Sequence, residues 1–144
     1  MVKVCLVLVL AGTVPANFVG IAQPPAAGIY PPLRRTPVQS GPRMYAAYCT
    51  GCHGVHGRGN GPVAPALRVR PPDLTRLAQR NGGVFPYEHV ASVLQYGAGH
   101  PAHASAEMPI WADMFRTLSA PSQIDGEVHL RISHLASYLK DIQR

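Results

Sequence analysis

Residues 49–53 read Cys49-Thr50-Gly51-Cys52-His53. Two thiols at this spacing on a helical turn face one side, so each can bond one vinyl group of the same porphyrin. The histidine directly after them is then held where a ring nitrogen can ligate the iron. Cys-x-x-Cys-His is the attachment signature of a c-type haem, and its spacing has this chemical reason. Such a centre moves single electrons. It requires a second ligand on the opposite face and an apolar pocket from the rest of the chain.

Two other chemistries use Cys-x-x-Cys. A structural zinc site needs two further ligands, usually a second Cys/His pair at short spacing. The only other cysteine is Cys5, inside an N-terminal apolar run. A thioredoxin-like redox site opens a helix after a buried strand. Here the preceding residues, Gly41-Pro42-Arg43-Met44-Tyr45-Ala46-Ala47-Tyr48, read as helix and not as a Val/Ile-rich strand.

The elements that must position the motif are helical. Ser40 is the expected N-cap of a first helix, with Pro42 in its first turn, running into the motif. Residues 54–65 carry four glycines and two prolines and read as a loop. Asp73 is placed to cap a short helix over 74–80, ending at Asn81-Gly82-Gly83. Pro86 opens another that reaches Tyr96 and stops at Gly97. Residues 97–107 form a Gly/Ala/His loop, and 111–118 add a short helical turn. The last helix has Ser122 as N-cap, with Asp125 three residues on. Val128, Ile132, Leu135, Leu139 and Ile142 then form one apolar stripe. His129, Arg131 and Lys140 fall away from that stripe. No segment alternates at period two, so the expected fold class is all-α.

At 144 residues, one domain is the default. Lys3, the apolar run from Val4 to Ala11 and the small residues Gly20-Ile21-Ala22 describe a signal peptide over 1–22, with cleavage after Ala22. A retained membrane anchor is the alternative, weakened by Gly12, Pro15 and Asn17. Cleavage would remove Cys5, leaving only Cys49 and Cys52. Residues 23–40 hold five prolines and read as an extended segment, either a tether or a wrap around the domain. The domain proper is expected over 41–144. Without Lys3 the chain keeps 12 basic and 7 acidic side chains, a formal +5, and 11 of the 12 are arginine. A positive surface suits acidic patches on partner proteins or anionic lipid. The arginines are scattered and not interleaved with aromatics, which argues against nucleic acid.

With these residues in view, the chain resembles the class I c-type cytochromes, small monohaem electron carriers, over residues 41–144. Gly41 and Tyr45 stand eight and four positions before Cys49, and Leu135-Ala136-Ser137-Tyr138 matches the Leu-x-x-Tyr of the family's last helix. The resemblance implies a helix crossing between these two groups. It also implies one covalent haem c on Cys49 and Cys52, with His53 as proximal ligand. A backbone carbonyl from a downstream proline would hold the other His53 ring nitrogen. Pro65, followed by Ala66 and Leu67, has the matching offset, and Pro62 competes with it. Met108-Pro109 resembles the family's distal Met-Pro element, which makes Met108 the expected sixth ligand. A thioether there favours reduced iron. His100 and His103 in the preceding loop are the bis-His rivals, and an open site is the third case. Met44 and Met114 read as core.

Pro65, Leu67, Trp111 and Tyr96 are expected around the haem pocket. Trp111 either packs on the porphyrin and serves a propionate or is an ordinary core aromatic. Arg68 and Arg70 read as surface arginines or as propionate partners. His56, His89, His129 and His134 read as surface or capping residues. No acid/base pair or nucleophile–base set is present, so the expectation is an electron carrier and not an enzyme. It would be exported to the periplasm or the outer face of the cytoplasmic membrane. Its partners would be redox proteins, with membrane association through the N-terminus or a membrane complex. The rivals are a fixed cytochrome subunit of a respiratory or dehydrogenase complex, and a haem enzyme or ligand sensor with an open or bis-His distal site.

Overall fold

A computed structural model describes residues 33–97 and 108–144. The signal peptide or anchor of residues 1–22, residues 23–32 of the Pro-rich segment, and the loop carrying His100 and His103 lie outside the described residues. Among the described residues there is helix and no strand, as an all-α fold requires.

Helix α1 spans Gly41–Tyr48, with Ser40 capping it through a 3.4 Å bond from the Arg43 amide and Pro42 in the first turn. It buries Gly41, Met44 and Tyr45. Helix α2, Thr50–His53, follows after the single residue Cys49, whose amide closes α1 on the Tyr45 carbonyl at 2.9 Å. A 3₁₀ turn at Ala64–Ala66 lies in the loop that follows. Asp73 then caps a second 3₁₀ turn, Leu74–Arg76, through a 2.9 Å bond from the Thr75 amide, and α3 continues it over Leu77–Arg80. Helices α4, Tyr87–Tyr96, and α5, Trp111–Arg116, precede α6, Ile124–Asp141.

Helix α6 is the spine, packing against α1, α4 and α5. Its stripe of Val128, Ile132, Leu135 and Leu139 is buried, with Leu135 fully so. Truncating a fully buried leucine typically costs about 2–5 kcal/mol. The α1–α6 crossing has the form the resemblance implied. A Cβ on Gly41 would meet the His134 backbone and the Tyr138 Cβ, so only glycine lets the helices approach this closely. One turn on, the Tyr45 and Tyr138 rings lie 5.2 Å apart.

Two expectations on α6 are corrected. Ser122 is not its N-cap. Gln123 holds that position without a side-chain bond, and its backbone amide closes the preceding turn on the Ala120 carbonyl at 2.9 Å. Arg131 does not fall away from the stripe but is buried. It meets Thr36, in the described end of the Pro-rich segment, residues 33–40. Arg131 Nη1 donates to the Thr36 carbonyl at 3.1 Å and to Thr36 Oγ1 at 3.2 Å. The Tyr48 hydroxyl donates to the Arg34 carbonyl and so accepts from the Thr36 hydroxyl at 3.0 Å.

Candidate haem-attachment site

The motif turn is held by its own backbone. The amides of Cys52 and His53 both point to the Cys49 carbonyl, at 3.2 and 2.8 Å, so Cys49, Cys52 and His53 share one helical turn. A helix leaves its last four carbonyls without internal partners. In α2 the following loop supplies all four. Gly54 N bonds Thr50 O at 2.9 Å, Val63 N bonds Gly51 O at 2.9 Å, Gly61 N bonds Cys52 O at 3.0 Å, and Gly59 N bonds His53 O at 2.9 Å. Glycine is needed for this return path. Gly54, Gly57 and Gly59 have φ of 77°, 72° and 72°, and a Cβ on Gly61 would overlap the α2 backbone.

Tyr45 ties this loop to α1, its hydroxyl donating to the Gly54 carbonyl at 2.6 Å. Burial, and then the nearby Cys49 and Tyr138, push its phenol above the ordinary range, so it stays a donor. The loop is fixed again downstream, where the Leu74 amide bonds the Gly57 carbonyl at 2.7 Å.

Cys49 is buried and Cys52 partly exposed, and they are not joined in a disulfide. Burial, and then the neighbouring Cys52, push the Cys49 thiol up to about 12, and burial also raises Cys52. A disulfide-exchange site lowers its attacking thiol instead. No buried strand precedes the turn either, and both facts oppose the thioredoxin-like alternative. Among the described residues no group of three or more His, Cys, Asp or Glu is arranged to hold a metal ion, as zinc would need.

His53 is buried at the end of α2. Met108 is partly buried against the core cluster that contains Cys49, Met44, Trp111 and Phe115. Trp111 is buried, stacked on Tyr48 at 5.7 Å and tilted against Phe115 at 5.7 Å. Met44 is core and Met114 packs on it, as expected of methionines. Pro65 sits exposed in the 3₁₀ turn beside the buried Ala64, and Leu67 is half-buried directly after. The structure does not bring Tyr96 to the others, because its side chain is 74 % exposed at the end of α4. Arg68, Arg70, His56, His89 and His129 are exposed, and His134 is half-buried.

The donor set suits a covalently bound haem. It offers two unbridged thiols and a histidine on one turn, with a thioether packed on the same core. Sequence reasoning missed Tyr48. An aromatic directly before the first cysteine carries no signal until its stack on Trp111 is seen. A family model described as cytochrome c matches residues 38–128. No significant match was found among curated proteins or solved structures.

Proposed function

The chain belongs to the cytochrome c family, and from that premise we propose a monohaem electron carrier whose iron is held between His53 and Met108. The family binds haem c covalently, and one haem suits a chain of 144 residues. The bound haem supplies a one-electron ferric/ferrous couple. Cys49 and Cys52 hold it by thioethers, and His53 ligates from the rigid end of α2. The four loop-to-α2 backbone bonds keep that turn in place through both oxidation states.

The observation that supports the His53/Met108 reading is the packing of the partly buried Met108 against the core that contains Cys49. The Pro65 carbonyl is our assignment for orienting the His53 ring, because Pro65 lies in the turn over the motif loop. The test is the absorption spectrum of wild type and Met108→Ala, oxidised and reduced. We expect the thioether-to-iron charge-transfer band of the ferric protein to vanish in the variant and carbon monoxide binding to the ferrous protein to appear. An unchanged band would reject Met108. Loss of all haem on denaturation would reject covalent attachment.

The partner is, on this reading, a redox protein with an acidic docking face. Between residues 49 and 87 the sequence holds five arginines and a single acidic residue, Asp73. Arg58, Arg68, Arg70, Arg76 and Arg80 are exposed, whereas Asp73 is already engaged by Thr75 and Arg144. Val55 and Val63, 70 % and 46 % exposed, give the same region an apolar centre. Export to the periplasm or outer membrane face, with a signal peptide over residues 1–22, completes the proposal. Among the described residues no helix is long and apolar enough to cross a membrane.

A further inference from the structure

Among the described residues, Arg131 is the one permanently charged side chain that is buried, at 3 % exposed. A guanidinium is a fixed positive charge in proteins. Its partners are all neutral. Nη1 bonds the carbonyl and hydroxyl of Thr36 and lies 3.9 Å from the Met44 sulfur, and Cζ stands 5.8 Å from the centre of the Phe115 ring. Nε has no hydrogen-bond partner, and no carboxylate among the described residues lies within ion-pair distance. A buried charge without a counter-charge is costly, and an apolar residue of similar volume is often neutral or stabilising in such a place.

The position of Arg131 points to what the charge does. Phe115 contacts both Trp111 and Tyr48, at 5.7 and 5.8 Å, and Tyr48 is the residue before Cys49. Met44, Phe115, Cys49 and the partly buried Met108 belong to one core. The cation therefore packs, through Met44 and Phe115, on the same core that holds Cys49, buried from solvent. Residues 33–36 cover it on the outside through Thr36.

We propose that Arg131 is a potential-setting residue, a fixed positive charge that favours the reduced state of the centre. The proposal rests on the His53/Met108 reading above. In the step concerned, the iron gains one electron from a reduced partner protein and its charge falls by one. No bond forms or breaks, and no proton moves on Arg131. A nearby cation is repelled less by the ferrous centre than by the ferric one, so it raises the midpoint potential. Thr36 has a positioning role, holding the guanidinium under cover.

The test is the midpoint potential of the haem-loaded protein in wild type, Arg131→Gln, Arg131→Lys and Thr36→Val. Loss of charge in Arg131→Gln is expected to shift the equilibrium about tenfold towards the oxidised form, about 59 mV for one electron. Arg131→Lys and Thr36→Val keep the charge and are expected to stay within about threefold of wild type. The shift in Arg131→Gln should persist at high salt, because buried charges are poorly screened. A second readout is the gap in denaturation midpoint between ferrous and ferric protein, which should shrink in Arg131→Gln alone. If Arg131→Gln does not retain haem, Arg131→Met carries the test with the same outcomes. Equal shifts in the glutamine and lysine variants would make Arg131 a mere clamp, and no shift in the neutral variant would overturn the proposal. The absorption spectrum of each variant separates the cases, since altered ligation indicts the His53/Met108 assignment and unaltered ligation isolates Arg131.

Discussion

Gly41 and Gly126 are both helical glycines, and the structure assigns opposite signs to the same added methyl group. At Gly41 an alanine Cβ would overlap the carbonyl oxygen of His134 and stand 2.7 Å from the Tyr138 Cβ, where ordinary contact begins at 3.4 Å. Helix α1 would have to retreat from α6 by at least about 0.7 Å, and gaps of roughly 0.5–1 Å forfeit a quarter to a half of each affected contact. Strain of this kind costs about 1–3 kcal/mol, and loss of the Tyr45–Tyr138 ring contact adds about 0.5–1.5 kcal/mol. The expected penalty for Gly41→Ala is therefore about 2–4 kcal/mol, a large part of a typical domain's stability. At Gly126 nothing lies within 4 Å of the added Cβ. There the substitution should stabilise α6 by about 0.5–1 kcal/mol through helix propensity alone. Guanidinium unfolding of the haem-loaded protein, with midpoint and slope fitted together, measures both. Shifts of the same sign, or a Gly41→Ala variant within about 0.5 kcal/mol of wild type, would refute the backbone-contact account of the crossing.

Three further outcomes are expected. Tyr45→Phe removes the donor to the Gly54 carbonyl, which keeps its 3.1 Å bond from the Gly57 amide, so no orphan is left. The cost should be only about 0.5–1.5 kcal/mol in the same unfolding assay. Burial alone would raise the Asp73 carboxyl, but the bonds from the Thr75 hydroxyl and amide and from Arg144 outweigh it and hold it below the usual range. Its stabilising effect is thus present above the ordinary carboxylate range and lost as pH falls through the lower folded value. Asp73→Asn keeps the cap acceptor and loses the partly exposed pair with Arg144, so it should cost under about 1 kcal/mol at neutral pH, with the difference from wild type closing in acid. On the docking side, Arg58→Glu should slow electron exchange with an acidic partner several-fold at low ionic strength, and added salt should erase the difference. A salt-independent defect would place Arg58 outside the docking face.

The haem turn, α1 with its Ser40 cap, α4 and the crossing at Gly41 and Tyr138 were all legible in the sequence. The first three depend on local spacing, and the crossing came from the resemblance to class I c-type cytochromes carried by Gly41, Tyr45 and Leu135-Ala136-Ser137-Tyr138. Arg131 was not legible, because a helical stripe is read from apolar residues and its partner, Thr36, lies 95 positions away. Ser122 misled for the reverse reason. Its three-residue spacing to Asp125 fits a capping box, but the chain makes one more turn before α6 begins. Pro65 lies exposed in the 3₁₀ turn of the loop after the motif, and Leu67 is half-buried directly after it. Tyr96, expected around the pocket, is 74 % exposed at the end of α4.

Most surface loops accept an inserted or deleted residue at little cost, since closure entropy changes slowly with length. The stretch from Gly54 to Val63 should be an exception. Its four amides reach successive carbonyls of α2 in a fixed register. Adding or removing one residue between Gly54 and Gly59 would put Gly59, Gly61 and Val63 out of step together. For a library designer this glycine-rich loop, whose composition suggests freedom, is the segment whose length is least open to change.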